Sequence, residues 1–332
     1  MTRPRILSGM RPTGPLHIGH LTGALDNWVR LVDEYECFFA VVDWHALTTD
    51  YADPKDIRDN VLEVATDWLD AGLDPKRCTL FIQSLVPEHA ELHLLLSMIV
   101  PVPWLERVPS YKDQQNQLSE KDLSTYGFLG YPLLQSADIM IYKADAVPVG
   151  EDQAPHIELT REVTRRFNHI YGPVFPEAKT LLTEVPRVPG TDGRKMSKSY
   201  GNAVFLKDTA AVVREKIRPM VTDPARKRRT DPGTPEICPV FDLHKAFSPR
   251  ETQEWAAQGC RTAGIGCLDC KGRLIEHLLQ RLEGIHARRP EYAAHPDTVW
   301  DILHEGSRRA REVARATMDE VRSAMKIAYP VR

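Results

Sequence analysis

Short apolar runs and amphipathic stretches take turns along the first two hundred residues of this 332-residue chain. Residues 3–8 read as a buried strand. HLTGALDNWVRLVDEY reads as a helix with Leu21, Leu25, Trp28, Val29 and Val32 on one side. CFFAVVDWHAL reads as a second strand ending in polar residues. DPKDIRDNVLEVATDWLDAGLDP reads as a helix with an Asp-Pro entry and a Gly stop. CTLFIQS is strand-like again, and PHIELTREVTRRFNHIYG is a helix opened by Pro and closed by Gly. Alternation of this kind predicts an α/β fold with a mostly parallel sheet, whose ligands sit at the carboxyl ends of the strands. His17 and the Asp43–His45 stretch fall at such ends. After about residue 203 the texture changes to helix-like segments (209–219, 271–287, 297–327), which puts a domain change near 200–210.

A 42% hydrophobic, 27% charged composition with net charge −3 is that of an ordinary globular protein. No stretch is long and apolar enough for a transmembrane span, and MTRPRILSGM lacks a secretion signal's apolar core, so a cytoplasmic protein without membrane association is expected. From Arg226 onward there are 19 Lys and Arg against 15 Asp and Glu; the remainder has 24 against 31. A basic third on an acidic body is compatible with a polyanionic partner. Cys37 and Cys78 lie in apolar surroundings and read as core residues. Cys238, Cys260, Cys267 and Cys270 cluster instead, as C-x21-C-x6-C-x2-C, and from spacing alone Zn2+ is the default tenant of four such thiols.

Two stretches point to phosphate. In GMRPTGPLHIGHL, a strand feeds a Gly/Pro turn and then a helix start bearing His17 and His20. Free backbone N–H groups and the helix dipole make such a place anion-binding. In GRKMSKSYGN, Lys195 and Lys198 alternate with small hydroxyl residues in a Gly-flanked loop. Lysine suits phosphate as a mobile point charge, and an exposed basic loop is the plainer reading.

Together, HIGH and KMSKS about 180 residues apart on an alternating chain resemble the class I aminoacyl-tRNA synthetases. The resemblance implies a Rossmann-type doubly wound parallel sheet over residues 1–205 and a C-terminal α-helical domain over 206–332 that recognises the tRNA anticodon. It implies amino-acid activation, in which the substrate carboxylate attacks the α-phosphorus of ATP and pyrophosphate leaves, with Mg2+ bridging phosphate oxygens. His17, His20, Lys195 and Lys198 would be catalytic. ATP would be held by Arg11, Pro12, Thr13, Gly19, His20, Gly150, Glu151, Asp152, Val188, Lys195, Met196, Ser197, Lys198 and Ser199.

GYPLLQSADIMIYKADAVPVGEDQAPHIELTRE is similar to the substrate segment of the tyrosyl- and tryptophanyl-tRNA synthetases. Tyr131, Gln135 and Asp138 share one helix face. A carboxylate among Leu133, Leu134, Ile139 and Ile141 is costly to bury without a donor, which an indole N–H or a phenol O–H supplies; a helix cap or a surface position is the plainer account. Tyrosyl enzymes carry a tyrosine where this chain has Leu7, and an apolar wall there suits an indole. VPVGEDQ and VVDWHALT also resemble the tryptophanyl pattern. That resemblance places L-tryptophan against Leu7, His45, Tyr131, Gln135, Asp138, Val147, Val149 and Gln153. It implies tRNA(Trp) as second substrate and a homodimer. A tyrosyl enzyme and a nucleotide- and RNA-binding paralogue that does not aminoacylate are the alternatives.

GCRTAGIGCLDCKGR resembles a subset of tryptophanyl enzymes that hold a [4Fe–4S] cluster on four cysteines, here Cys238, Cys260, Cys267 and Cys270, with one residue fewer in the first spacing. The last helix, EGSRRAREVARATMDEVRSAMKI, carries Arg308, Arg311, Arg315, Arg322 and Lys326 opposite an apolar stripe of Ala310, Ala314, Val321 and Met325. With DPARKRR it forms a candidate tRNA surface or, more plainly, a solvated face.

Overall fold

The computed structural model describes residues 3–109, 111–112, 122–182 and 188–330, with the side chain of Asp152 also left out. Five parallel strands form one sheet: β1 (Arg5–Met10), β2 (Glu36–Val41), β3 (Thr79–Ile82), β4 (Ala146–Val149) and β5 (Lys179–Leu182), in the order β3-β2-β1-β4-β5. Strand order reverses between β1 and β4, so their carboxyl ends splay apart into a crevice.

The longer helices are α1 (Asp43–Asp50), α2 (Ile57–Ala71), α3 (Glu88–Ser97), α4 (Tyr126–Ile141), α5 (Ala154–Tyr171), α6 (Ala210–Ile217), α7 (Pro239–Phe247), α8 (Arg250–Arg261), α9 (Cys267–Ala294) and α10 (Pro296–Ala324). The HIGH region is helical from Ile18 to Leu31, with a π-turn at Leu21–Leu25. One segment differs from expectation. Asp43, Trp44 and His45 form the first turn of α1 rather than the end of a strand. Asp43 Oδ1 accepts from the amides of Trp44 and Ser84, which turns the chain out of the sheet there.

Alternation along each strand separates two cores. Ile6, Phe39, Val41, Leu80 and Ala146 face one, while Leu7, Phe38, Ala40, Phe81 and Val147 face the other. α2 packs its Val61, Val64 and Trp68 side into the first core and ends at Gly72, whose φ of +108° suits only glycine. α9 joins the same core through Leu274, Leu278 and Leu282.

α10 crosses the sheet edge. Its Val299 and Leu303 lie in the first core, and its Ala310, Ala314, Met318 and Val321 in the second. At the crossing, Ser307 Oγ accepts from the Ile82 amide at 3.1 Å, so a side chain pairs the outer edge of β3. Gly306 rides against β3 so closely that a Cβ would lie 1.8 Å from the Leu80 carbonyl oxygen. Gly306→Ala is therefore expected to cost about 1–3 kcal/mol, read as a lower urea midpoint with an unchanged m-value. An unshifted midpoint would mean the helix stands off the edge in solution.

The basic stripe of α10 is largely committed inside the molecule. Arg311 donates to both Glu88 oxygens, Arg315 donates to Glu88, and Arg322 to Glu91, stapling α10 to α3. Arg308 pairs along its own helix with Glu305 and Glu312. In DPARKRR, Arg226 is buried and ties the Asp231, Arg229 and Ile265 carbonyls, whereas Lys227, Arg228 and Arg229 are exposed. No helix among the described residues is long and apolar enough to cross a membrane.

Candidate active site

Two cavities meet at the carboxyl ends of β1 and β4, sharing Gly19 and His20 as a wall. The larger, about 1030 Å³, is lined by Thr13, His17, Gly19, His20, Val188, Lys195, Met196, Ser197, Lys198 and Ser199. HIGH and KMSKS, far apart in sequence, are thus its two sides.

The histidines cap each other's turn. His17 Nδ1 accepts from the Gly19 amide at 3.2 Å, and His20 Nδ1 accepts from the His17 amide at 3.1 Å. With both Nδ1 atoms acting as acceptors, each ring carries its proton on Nε2 and is a neutral donor. Burial and the neighbouring Lys198 and Lys195 push His17 down to about 4. Burial, His17 and Lys198 push His20 down to about 3.

Lys198 reaches across the cleft. Its Nζ donates to the Gly14 carbonyl at 2.6 Å and lies 3.4 Å from Thr13 Oγ1. Burial lowers its ammonium to about 8, against the opposing pull of Asp67 and Glu63. The KMSKS loop is organised by Asn202, which sequence reasoning passed over. Its Oδ1 accepts from the Ser197 amide at 2.8 Å, and its Nδ2 donates to Asp192 and to the Lys195 carbonyl. A polar residue closing a Gly-rich loop was the available signal.

The turn before HIGH is anchored from below. The Leu16 amide donates to buried Asp67 at 2.6 Å, and Arg289 of α9 donates to Asp67, Asp70 and Glu63. Burial raises Asp67 to about 6 and Asp70 to about 7 despite this guanidinium.

The smaller cavity, about 600 Å³, is lined by Leu7, His45, Tyr131, Gln135, Asp138, Val147, Val149 and Gln153, all eight residues expected around the amino acid. Arg11 and Gly150 also line it rather than the larger cleft. Pro12 is buried and Glu151 exposed, and neither lines either cavity. The side chain of Asp152 lies outside the described residues.

Asp138 is buried at the end of this cavity. Its Oδ2 is 3.0 Å from His45 Nε2, its Oδ1 is 2.6 Å from His89 Nδ1, and Gln83 Nε2 donates to both oxygens at 2.9 and 2.8 Å. Burial alone would raise this carboxyl. His89 and His45 more than reverse that and hold it below the usual carboxylate range. Gln83 and His89 were not foreseen. Gln83 follows the buried run TLFI, a polar residue at a strand's carboxyl end, which was a usable signal; His89 gave none.

The four clustered cysteines converge in the C-terminal region. Cys270 is within electrostatic reach of Cys238, Cys260 and Cys267, and its Sγ is 3.3 Å from His244 Nε2. Burial first, then the other thiols, push Cys270 up to about 12. Among the described residues, however, no three His, Cys, Asp or Glu side chains are arranged to hold a metal ion. As placed, the thiols do not form a ligand set. Cys37 and Cys78 are buried as expected.

Residues 1–283 match the family described as tRNA synthetases class I (W and Y). The chain is 54% identical over 327 residues to a tryptophan–tRNA ligase of Thermotoga maritima, covering 98% of this chain and all of that one. It is 48% identical to a tryptophan–tRNA ligase of Ralstonia nicotianae, covering 98% and 99%. Among solved structures, tryptophanyl-tRNA synthetase from Campylobacter jejuni, complexed with ADP and tryptophan, superposes with TM-score 0.86 at 31% identity, covering 97% of this chain and 99% of that one. This chain belongs to the class I tRNA synthetases, in the branch that serves tryptophan and tyrosine.

Proposed function

We propose that the chain is a tryptophan–tRNA ligase, activating L-tryptophan with ATP and transferring it to tRNA(Trp). The observation that carries the choice of amino acid is the smaller cavity: apolar Leu7, Val147 and Val149 beside one buried, ionised carboxylate, Asp138. An indole offers a flat apolar body and a single N–H donor, which matches that pattern. A phenol hydroxyl beside Leu7 loses a partner, and an unpaired buried polar group discriminates strongly.

In this reading, the indole N–H meets Asp138, and Tyr131, Gln135, Gln153 and His45 complete the pocket. Gly19, Val188 and Met196, which line the larger cleft, hold the adenosine side, and Arg11 and Gly150 reach it from the amino-acid cavity. Thr13, Ser197, Ser199, Lys195 and Lys198 hold the phosphates, and the Nε2–H groups of His17 and His20 donate to them. Substrate carboxylate and α-phosphorus are brought together by the shared wall of the two cavities, so catalysis is positioning and charge stabilisation. Mg2+ arriving with ATP supplies screening of phosphate charge; hard cations are commonly carried on substrate phosphates in this way.

Pyrophosphate exchange with tryptophan and with tyrosine tests the assignment. Exchange with tryptophan at least ~100-fold above tyrosine is expected. Equal exchange would support a tyrosyl or dual enzyme, and none would support the non-aminoacylating alternative. The same preparation should sediment as a homodimer, for which the exposed apolar residues Leu94, Met98 and Val102, at 55%, 66% and 50% exposure, are the supporting feature. A monomer at micromolar concentration would remove that part. Exposed Lys227, Arg228 and Arg229 and the helical C-terminal region support the tRNA-binding role of residues 206–332.

A [4Fe–4S] cluster on Cys238, Cys260, Cys267 and Cys270 is the finer part of the proposal. Mutual proximity of the thiols supports it, and their present arrangement does not. Anaerobically purified protein is expected to hold about four iron and four acid-labile sulfide per chain. Stoichiometric zinc instead would favour the tetrahedral alternative, and a metal-free active protein would remove both.

A further inference from the structure

Behind Asp138 lies a buried chain of polar groups that touches neither cavity. His89 and Tyr142 are both 0% exposed and line no part of the site. His89 Nδ1 is 2.6 Å from Asp138 Oδ1, and its Nε2 is 2.7 Å from the Tyr142 hydroxyl. Tyr142 is fixed by its stack on Phe38, with centroids 4.7 Å apart, and by an edge contact with Phe81. Proton roles follow from chemistry. An ionised carboxylate only accepts, so His89 Nδ1 carries the hydrogen that it receives. Its Nε2 meets the Tyr142 hydroxyl, which gives the ring its second hydrogen bond inside the core. Tyr142 thereby fixes the orientation of the His89 ring, and His89 fixes one oxygen of Asp138.

The other oxygen, Oδ2, is bonded by His45, which lines the cavity. Its second donor, Gln83, does not line it. Oδ2 is thus the oxygen tied to the cavity wall, and Oδ1 is the one held from behind. This is the geometry of a base oriented by a third group, used for recognition rather than proton transfer.

We propose that His89 and Tyr142 are positioning residues for substrate selection, fixing the Asp138 carboxylate so that Oδ2 is presented to the ring N–H of the amino acid. The inference rests on the tryptophan reading above. Neither residue contacts substrate, so their effect appears only through that one hydrogen bond.

The test is pyrophosphate exchange by the full chain and by Tyr142→Phe and His89→Asn, with two substrates: tryptophan, and its isostere in which sulfur replaces the ring N–H. Tyr142→Phe keeps the ring packing and removes only the hydroxyl. It is expected to raise KM for tryptophan about five- to tenfold, the worth of one buried hydrogen bond, and to leave KM for ATP within twofold. His89→Asn is expected to raise it further. For the isostere both variants should match the unmodified enzyme within twofold, because no N–H is present to lose. Equal losses on both substrates would mean that the pair is only core packing and would overturn the inference. So would an unchanged KM for tryptophan in both variants. The underlying reading fails separately: an unmodified enzyme that uses the isostere as well as tryptophan does not read the N–H at all.

Discussion

Asp138→Asn is expected to lower kcat/KM for tryptophan by about 10³-fold while KM for ATP changes little. The carboxylate accepts from His45, His89 and Gln83 at once. An amide of the same shape offers one accepting end and turns an NH2 toward donors at the other. Burial leaves no water to repair the mismatch, and a site built around one hydrogen bond loses ~10⁴–10⁵ when a partner is missing altogether. Isosteric packing keeps the cost below that limit. Pyrophosphate exchange at varied tryptophan measures it. A loss under about tenfold would show that the indole N–H finds another acceptor in the cavity.

Lys198→Ala is expected to reduce kcat for activation by about 10²–10³-fold, with KM for tryptophan nearly unchanged. The amine crosses from KMSKS to the Gly14 carbonyl beside HIGH, where leaving-phosphate charge develops in the proposed mechanism. Its pH signature separates it from the histidines. In the free enzyme Lys198 is charged below about 8 and loses its charge above that value. kcat/KM for ATP, which reports free-enzyme ionisations, should therefore fall as pH rises through about 8, and Lys198→Arg should flatten that limb. His17 and His20, pushed to about 4 and about 3, should contribute no limb between pH 5 and 9. An alkaline limb that survives in the arginine variant would assign it elsewhere.

What was legible in the sequence was local or periodic. Leu7 and Val147 were reached only through the resemblance of their short motifs to the tryptophanyl pattern. Tyr131, Gln135 and Asp138 announced themselves by helical spacing, and the fold brings all five to one cavity. What was hidden depended on distant partners. His89 looks like any polar residue in EHAELHLLLS until Asp138 and Tyr142 arrive from residues 49 and 53 positions away. Arg311, Arg315 and Arg322 read as a free basic stripe because Glu88 and Glu91, which bind them, lie more than two hundred residues upstream. Asp43 breaks strand β2 into a helix through the amide of Ser84, another pairing that no local window contains.

The passage of α10 over the rim of the sheet sets the order in which the protein can be completed. Ile82 and Ser307 are 225 residues apart. At ~5–20 residues per second, the outer strand waits roughly 10–45 s for the hydroxyl that pairs its edge. Its brevity, four residues, limits what can add to it meanwhile. Every residue of HIGH, KMSKS and the amino-acid cavity has by then been synthesised. A chain cut before Gly306 therefore keeps all its reactive side chains and the first-core end of α10, but lacks the part of that helix that reaches the second core. Such a fragment leaves Ala310, Ala314, Met318 and Val321 absent from the second core and the edge of β3 without its Ser307 partner.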